Sequence, residues 1–211
     1  VLETCIYLES IGAELEYVNI TSDGVVDYKH LESIVDRDTL FVCLMHVNNE
    51  TGEVSDLERI NDIVKAANTK FFTDTTQSMT KLEVNANHFD ACVGSAHKFH
   101  GPKGVGFLYL KNGFSLSPLQ HGGQQESELR AGTHNLPGIL SMVSQLKENN
   151  TNKFDKVRFN FLQDYLKEMG VTFGLVSIND RIMLLDVDRI NEAKIADIFI
   201  YSKGSACNTG L

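Results

Sequence analysis

Lys98 stands in the stretch Ser95-Ala96-His97-Lys98-Phe99-His100-Gly101-Pro102-Lys103-Gly104, between apolar runs at 89–93 and 105–110. An amine at the end of a buried strand, stripped of part of its water, is a potential nucleophile that can hold a carbonyl compound as a Schiff base. A carbonyl cofactor held this way needs three further groups: an anion site for a phosphate, a carboxylate for a pyridine nitrogen, and a donor for a phenolic oxygen. Ser95 and His97 suit the phosphate, Asp74 the ring nitrogen and Gln77 the oxygen. The carboxylate matters most, because by keeping the ring nitrogen protonated it lets the ring draw electrons from a carbanion at a substrate's Cα. Each residue alone has a plainer reading. A lysine between strands is usually solvated, Asp74 is equally a helix N-cap, and Gly101-Pro102-Lys103-Gly104 by itself is a turn. Their joint occurrence at successive strand ends carries the chemical reading.

The elements that must position these residues alternate along the chain. Leu2, Ile6 and Leu8 have near-helical spacing with Gly12 as C-cap, and residues 15–20 read as a strand. A turn at 22–24 and a short helix over 31–35 precede a continuous apolar run at 39–45, suited to a strand buried on both faces. A helix over 56–67 and strands at 71–73, 91–94 and 105–110 follow, an order that predicts an α/β fold with a mainly parallel sheet flanked by helices. Ligands of such sheets gather at loops leaving the carboxyl ends of strands, which is where 46–52, 74–77 and 95–98 fall. Beyond residue 135 the pattern becomes helical at 139–147 and 154–167, with strands at 171–176 and 182–187 and a helix at 190–197. This texture sets a boundary near residue 150, separating a large domain, 1–150, from part of a smaller domain, 151–211.

The 211 residues carry a formal charge of −9 and no Lys/Arg-rich run, so neither nucleic acid nor an acidic membrane surface is expected as the main partner. No apolar run reaches the roughly 20 residues of a membrane span, and no signal-like segment opens the chain, so a cytoplasmic location is expected. Cys5, Cys43, Cys92 and Cys207 lack CxxC spacing and read as reduced thiols, with no metal site. The chain opens on Val1 within a helical pattern, as a piece of a longer protein would.

Five segments taken together, HVNNETG, TDTTQS, SAHKFHGPKGVGFLYL, HGGQQESELRAGT and SKGSACNTG, resemble the cysteine desulfurases of the class V aminotransferase-like group. The GSAC-type segment and GPKG turn are similar to group I of that family rather than group II. The resemblance implies the type I pyridoxal-phosphate-dependent transferase fold, pyridoxal 5'-phosphate as cofactor, L-cysteine as substrate, a homodimer, and a sulfur-acceptor or iron–sulfur scaffold protein as partner. It implies that Lys98 is the Schiff-base lysine and moves a proton at the substrate, that Asp74 pairs with the ring nitrogen, and that Gln77 addresses the phenolic oxygen. Ser95 and His97 would bind the phosphate, Thr133 would reach the phosphate of the neighbouring subunit, and Asn49 would lie beside the cofactor and substrate carboxylate. His46 is left as scaffolding, and His100 gains no role.

Cys207 would be the second catalytic residue. Gly204-Ser205-Ala206-Cys207-Asn208-Thr209-Gly210 is small and polar, as suits a loop whose thiol travels to the substrate and away, whereas Cys5, Cys43 and Cys92 lie among apolar neighbours. The sequence departs from the family in Ala96, in the pair Gly122-Gly123 where a glycine triplet is usual, and in Ala131. The family's Gly/Thr phosphate loop and ring-stacking histidine would precede Val1, and its carboxylate-binding arginine would follow Leu211. Two other readings stay open: another class V lyase or aminotransferase in which Cys207 is incidental, and a truncated, non-catalytic homologue that dimerises or binds a scaffold.

Overall fold

The computed structural model describes residues 2–148 together with 161, 164, 165, 167 and 168. Eight regular elements occupy the first part in the order α1 (Leu2–Ser10), α2 (Tyr28–Ile34), β1 (Val42–Met45), α3 (Leu57–Ala66), β2 (Phe71–Asp74), β3 (Ala91–Ser95), β4 (Gly106–Leu110) and α4 (Leu136–Glu148). The four strands form one sheet in the order β1-β2-β3-β4. The first two pairings are parallel, and β4 runs antiparallel to β3, because residues 96–105 are too few for a crossover.

Register sorts the sheet into two faces. Val42 pairs with Phe71 and Thr73 with Cys92, so these residues share a face, and it packs on Leu31 of α2 and on Leu57, Ile60 and Val64 of α3 to form the main core. Both helices start where an aspartate caps them. Asp27 accepts from the N–H groups of Lys29 and His30 at 3.0 and 3.1 Å, and Asp56 accepts from Arg59 N–H at 3.0 Å. The Asp27 cap explains why α2 begins three residues before the expected 31. Tyr28 joins the helices: its Oη accepts from Asp56 N–H at 2.8 Å, and the Arg59 guanidinium lies 4.4 Å over its ring.

Two expected strands are corrected. Residues 13–19 form none, since no strand lies beside them among the described residues; only an antiparallel bridge joins Ile20 to Val26 across the 22–24 turn. The run at 39–45 becomes a strand only from Val42, because Thr39 is tied into a turn with Asp36, and Leu40 and Phe41 are exposed rather than buried. The helix expected at 139–147 extends over α4. The smaller domain at 151–211, its strands and the Cys207 loop lie outside the described residues, apart from the helical positions 161, 164, 165, 167 and 168.

The chain leaves β1 through a hairpin. His46 N–H donates to Asp74 C=O at 3.0 Å, Ser55 N–H donates to His46 C=O at 2.8 Å, and Val47 bridges Val54. The His46 ring is buried, its Nδ1 has no hydrogen-bond partner among the described residues, and desolvation pushes its pKa down to about 4, so the ring is neutral at physiological pH. Glu53, also buried, has its pKa raised by desolvation and accepts from Ser55 Oγ at 3.3 Å.

Two measurements follow from this packing. As pH falls below 6.5, the unfolded chain protonates His46 while the folded chain resists until about 4, so His46 removes stability over that window; Glu53 acts in the opposite sense. Between pH 7 and pH 5 in urea titrations, the parent should therefore lose about 2 kcal/mol more stability than His46→Gln. Thr80 is β-branched and sits in left-handed backbone at φ 65°. Thr80→Gly should raise the unfolding free energy by about 1 kcal/mol, and an unchanged midpoint would show that the conformation carries no strain.

Candidate active site

The carboxyl ends of β1, β2 and β3 lie side by side, with Met45 opposite Asp74 and Asp74 opposite Val93. Ser95 is two residues beyond Val93, so Asp74 and Ser95 emerge on the same face, opposite the main core. Asp74 Oδ1 accepts from Thr76 N–H at 2.8 Å, an Asx turn that orients the carboxylate and leaves Oδ2 for another donor. Thr75 bolts this turn to β3: its N–H and its Oγ1 both donate to Val93 C=O, at 2.9 and 2.7 Å. The helix N-cap reading of Asp74 gives way to this turn. Gln77, half-buried, follows, and its Oε1 accepts from Lys81 Nζ at 3.2 Å, so its amide N–H groups are the ones that can address an oxygen.

After Ser95 the chain makes one 3-10 turn over Ala96–Phe99. Ala96 and Phe99, three apart and therefore on one side of such a turn, are buried against Met142 of α4, with Met79, Val105 and Leu146 around them. Burying those two leaves His97 exposed and Lys98 half-buried. Ser95 Oγ and His97 Nδ1 are 2.8 Å apart, and no ion pair engages the Lys98 ammonium among the described residues. His100 ends the turn in left-handed backbone at φ 67°. A β-carbon at Gly101 would lie 2.8 Å from that of Ala96, and one at Gly106 would lie 2.6 Å from Gly94 C=O, so the return into β4 demands glycine at both positions.

The structure thus brings Asp74, Gln77, Ser95, His97 and Lys98 to one edge of the sheet. An oriented carboxylate, an amide donor, a hydroxyl–imidazole pair and an amine outside any ion pair among the described residues fit a phosphorylated pyridine aldehyde. Asn49 is exposed in the hairpin, where the turn itself is built by Asn48, whose Oδ1 accepts from the N–H groups of Glu50 and Thr51 at 2.9 and 3.1 Å. Thr133 is exposed in a separate loop. Cys207 lies outside the described residues. Cys92 is buried, Cys5 and Cys43 half-buried, and desolvation pushes the Cys43 and Cys92 thiols up to about 11, which leaves both poor nucleophiles near neutrality.

The loop holding Thr133 has a feature that no sequence pattern announced. Gln120 bridges Arg130, and between them Glu126, Ser127 and Glu128 all take left-handed backbone, at φ 49°, 56° and 67°. Each such residue costs about 1 kcal/mol or more, and none is glycine or asparagine, the types that would signal the conformation.

The aminotransferase class-V family model matches residues 6–168. Among curated relatives, the cysteine desulfurase IscS of Dictyoglomus turgidum is 41% identical over 144 residues, which are 67% of this chain and 36% of that one. The cysteine desulfurase IscS of Methanosarcina thermophila is 31% identical over 234 residues, 99% of this chain and 55% of the relative. A solved NifS-like protein superposes with a TM-score of 0.82 at 34% identity, covering 93% of this chain and 57% of its own. A structure titled SspA in complex with cysteine gives 0.84 at 29% identity, covering 99% and 62%. The chain spans about half the length of the relatives it matches. With the family model covering most of its length, on a sheet whose strand ends carry Asp74, Ser95 and Lys98, the chain belongs to the aminotransferase class-V family and has the fold of its pyridoxal-phosphate-dependent members.

Proposed function

We propose that this chain is the core of a group I cysteine desulfurase, which takes sulfur from L-cysteine and leaves L-alanine and a persulfide on Cys207. The observation that carries the reading is the convergence of Asp74, Ser95 and Lys98 at adjacent strand ends, together with curated relatives that are named cysteine desulfurases. Pyridoxal 5'-phosphate, when bound, supplies an electron sink that stabilises negative charge at the substrate's Cα. Asp74 holds a proton at the ring nitrogen, Gln77 donates to the phenolic oxygen, and Ser95 and His97 donate to the phosphate. Lys98 Nζ carries the cofactor and moves the proton at Cα. Asn49 lies beside the substrate carboxylate.

Cys207, as thiolate, attacks the substrate's sulfur; the new S–S bond forms as the substrate's C–S bond breaks, and the carbon side takes up a proton and leaves as alanine. The high pKa of the Cys43 and Cys92 thiols favours Cys207 over either. The persulfide then passes to an acceptor protein, including one that assembles iron–sulfur clusters. The enzyme works as a cytoplasmic homodimer in which Thr133 serves the neighbouring subunit's phosphate, with residues 1–150 in the large domain and 151–211 in part of the small one. Among the described residues no helix is long and apolar enough to cross a membrane.

Two variants test this reading on the holoenzyme supplied with L-cysteine. Lys98→Ala should lose the visible absorbance of bound cofactor. Cys207→Ser should keep that absorbance and lose alanine formation by about a thousandfold or more. A colourless parent, or keto acid in place of alanine, overturns the proposal.

A further inference from the structure

Thr133 stands between two tethers. On one side Gly132 N–H donates to Gln125 Oε1 at 3.2 Å. On the other, His134 Nε2 lies 3.0 Å from Glu126 Oε1, an ion pair when the imidazole is protonated. The two acceptors are consecutive residues at the start of the left-handed turn at 126–128. The loop's base is set separately, by Ala131 N–H donating to Gln120 C=O at 3.0 Å and by burial of Ala131.

Three successive non-glycine residues in left-handed backbone persist only when their surroundings hold them there. The core does not: Glu126, Ser127, Glu128 and His134 are all exposed. Holding therefore falls to the contacts across the loop. Gly132, at φ 106°, supplies a backbone that reorients easily, so the position of the next residue depends on what grips its two sides. An exposed side-chain contact of this kind adds little to global stability. Its effect here is to fix direction.

We infer that Glu126 and His134 form a clasp that positions Thr133 for a phosphate group. Both are positioning residues, acting through Thr133 without touching the ligand, and the inference rests on the reading of Thr133 as a phosphate contact across the dimer. Released from the clasp, the turn relaxes and Thr133 swings away from its donor position, weakening the grip on phosphate while the fold stays intact.

Affinities of the cofactor-depleted homodimer for pyridoxal phosphate and for pyridoxal, which lacks the phosphate, test it. His134→Ala and Glu126→Ala should each weaken pyridoxal phosphate binding about five- to tenfold with little change for pyridoxal, the loss expected for one misplaced hydrogen bond. His134→Gln, which keeps an N–H donor, should recover most of that loss. Hydrogen exchange at the Gly132 and Thr133 amides, measured without cofactor, should quicken in His134→Ala. Equal losses for both ligands, or unchanged exchange and affinity in His134→Ala, overturn the clasp. Thr133→Ala separates the two levels: if it weakens phosphate-dependent binding while His134→Ala does not, the clasp alone fails. If Thr133→Ala changes nothing, the reading of Thr133 fails and the clasp with it.

Discussion

The register of β2 between its two neighbours is the constraint on which the rest depends. With Phe71 opposite Val42 and Thr73 opposite Cys92, the aromatic and small residues of one face enter the core against α2 and α3, and Asp74 is thereby sent to the other face. A slip of one residue would drive a carboxylate into that core and expose Phe71, at a cost no loop contact could offset. Asp90 secures the far end of the register: its Oδ2 accepts from Phe71 N–H at 3.0 Å, and Asp90 N–H donates to Phe71 C=O at 2.8 Å. The side chains proposed for chemistry therefore owe their geometry to apolar residues on the reverse of the same sheet.

The loops beyond the strand ends differ in how they are held. Thr75 and its two donations to Val93 make the Asp74 turn an extension of the sheet, and Ala96 with Phe99 makes the Lys98 turn an extension of the second core under α4. Among the described residues the 120–135 loop has no such foundation beyond Ala131, and it is there that left-handed backbone accumulates. The groups proposed to hold a cofactor's ring sit on packed supports, whereas Thr133, proposed to serve a neighbouring subunit, sits on an exposed one.

Much of this was legible in the chain because its signals are local. The apolar runs at 71–73, 91–94 and 105–110 became β2, β3 and β4, and the polar clusters after β1, β2 and β3 fell at one sheet edge because these three strands are parallel. Failures came where local propensity lacked a partner. Residues 15–20 have strand composition but no ladder to join, and Leu40 and Phe41 are apolar yet exposed. The Glu126 and His134 contact spans eight positions through a turn of unfavourable residues, so neither period nor propensity could reveal it. His46, read as scaffolding, lies buried at the base of a hairpin.

A persulfide's outer sulfur moves to whatever thiolate it meets, at a rate set by how much of each thiol is ionised and within reach. Desolvation keeps Cys43 and Cys92 protonated across the cellular pH range. The packing that sets strand register thus renders Cys92 silent in exchange, and Cys43, half-buried on the other face, is silenced by its own desolvation. A chain that handles mobile sulfur would in this way be shielded from misdirecting it into its own sheet.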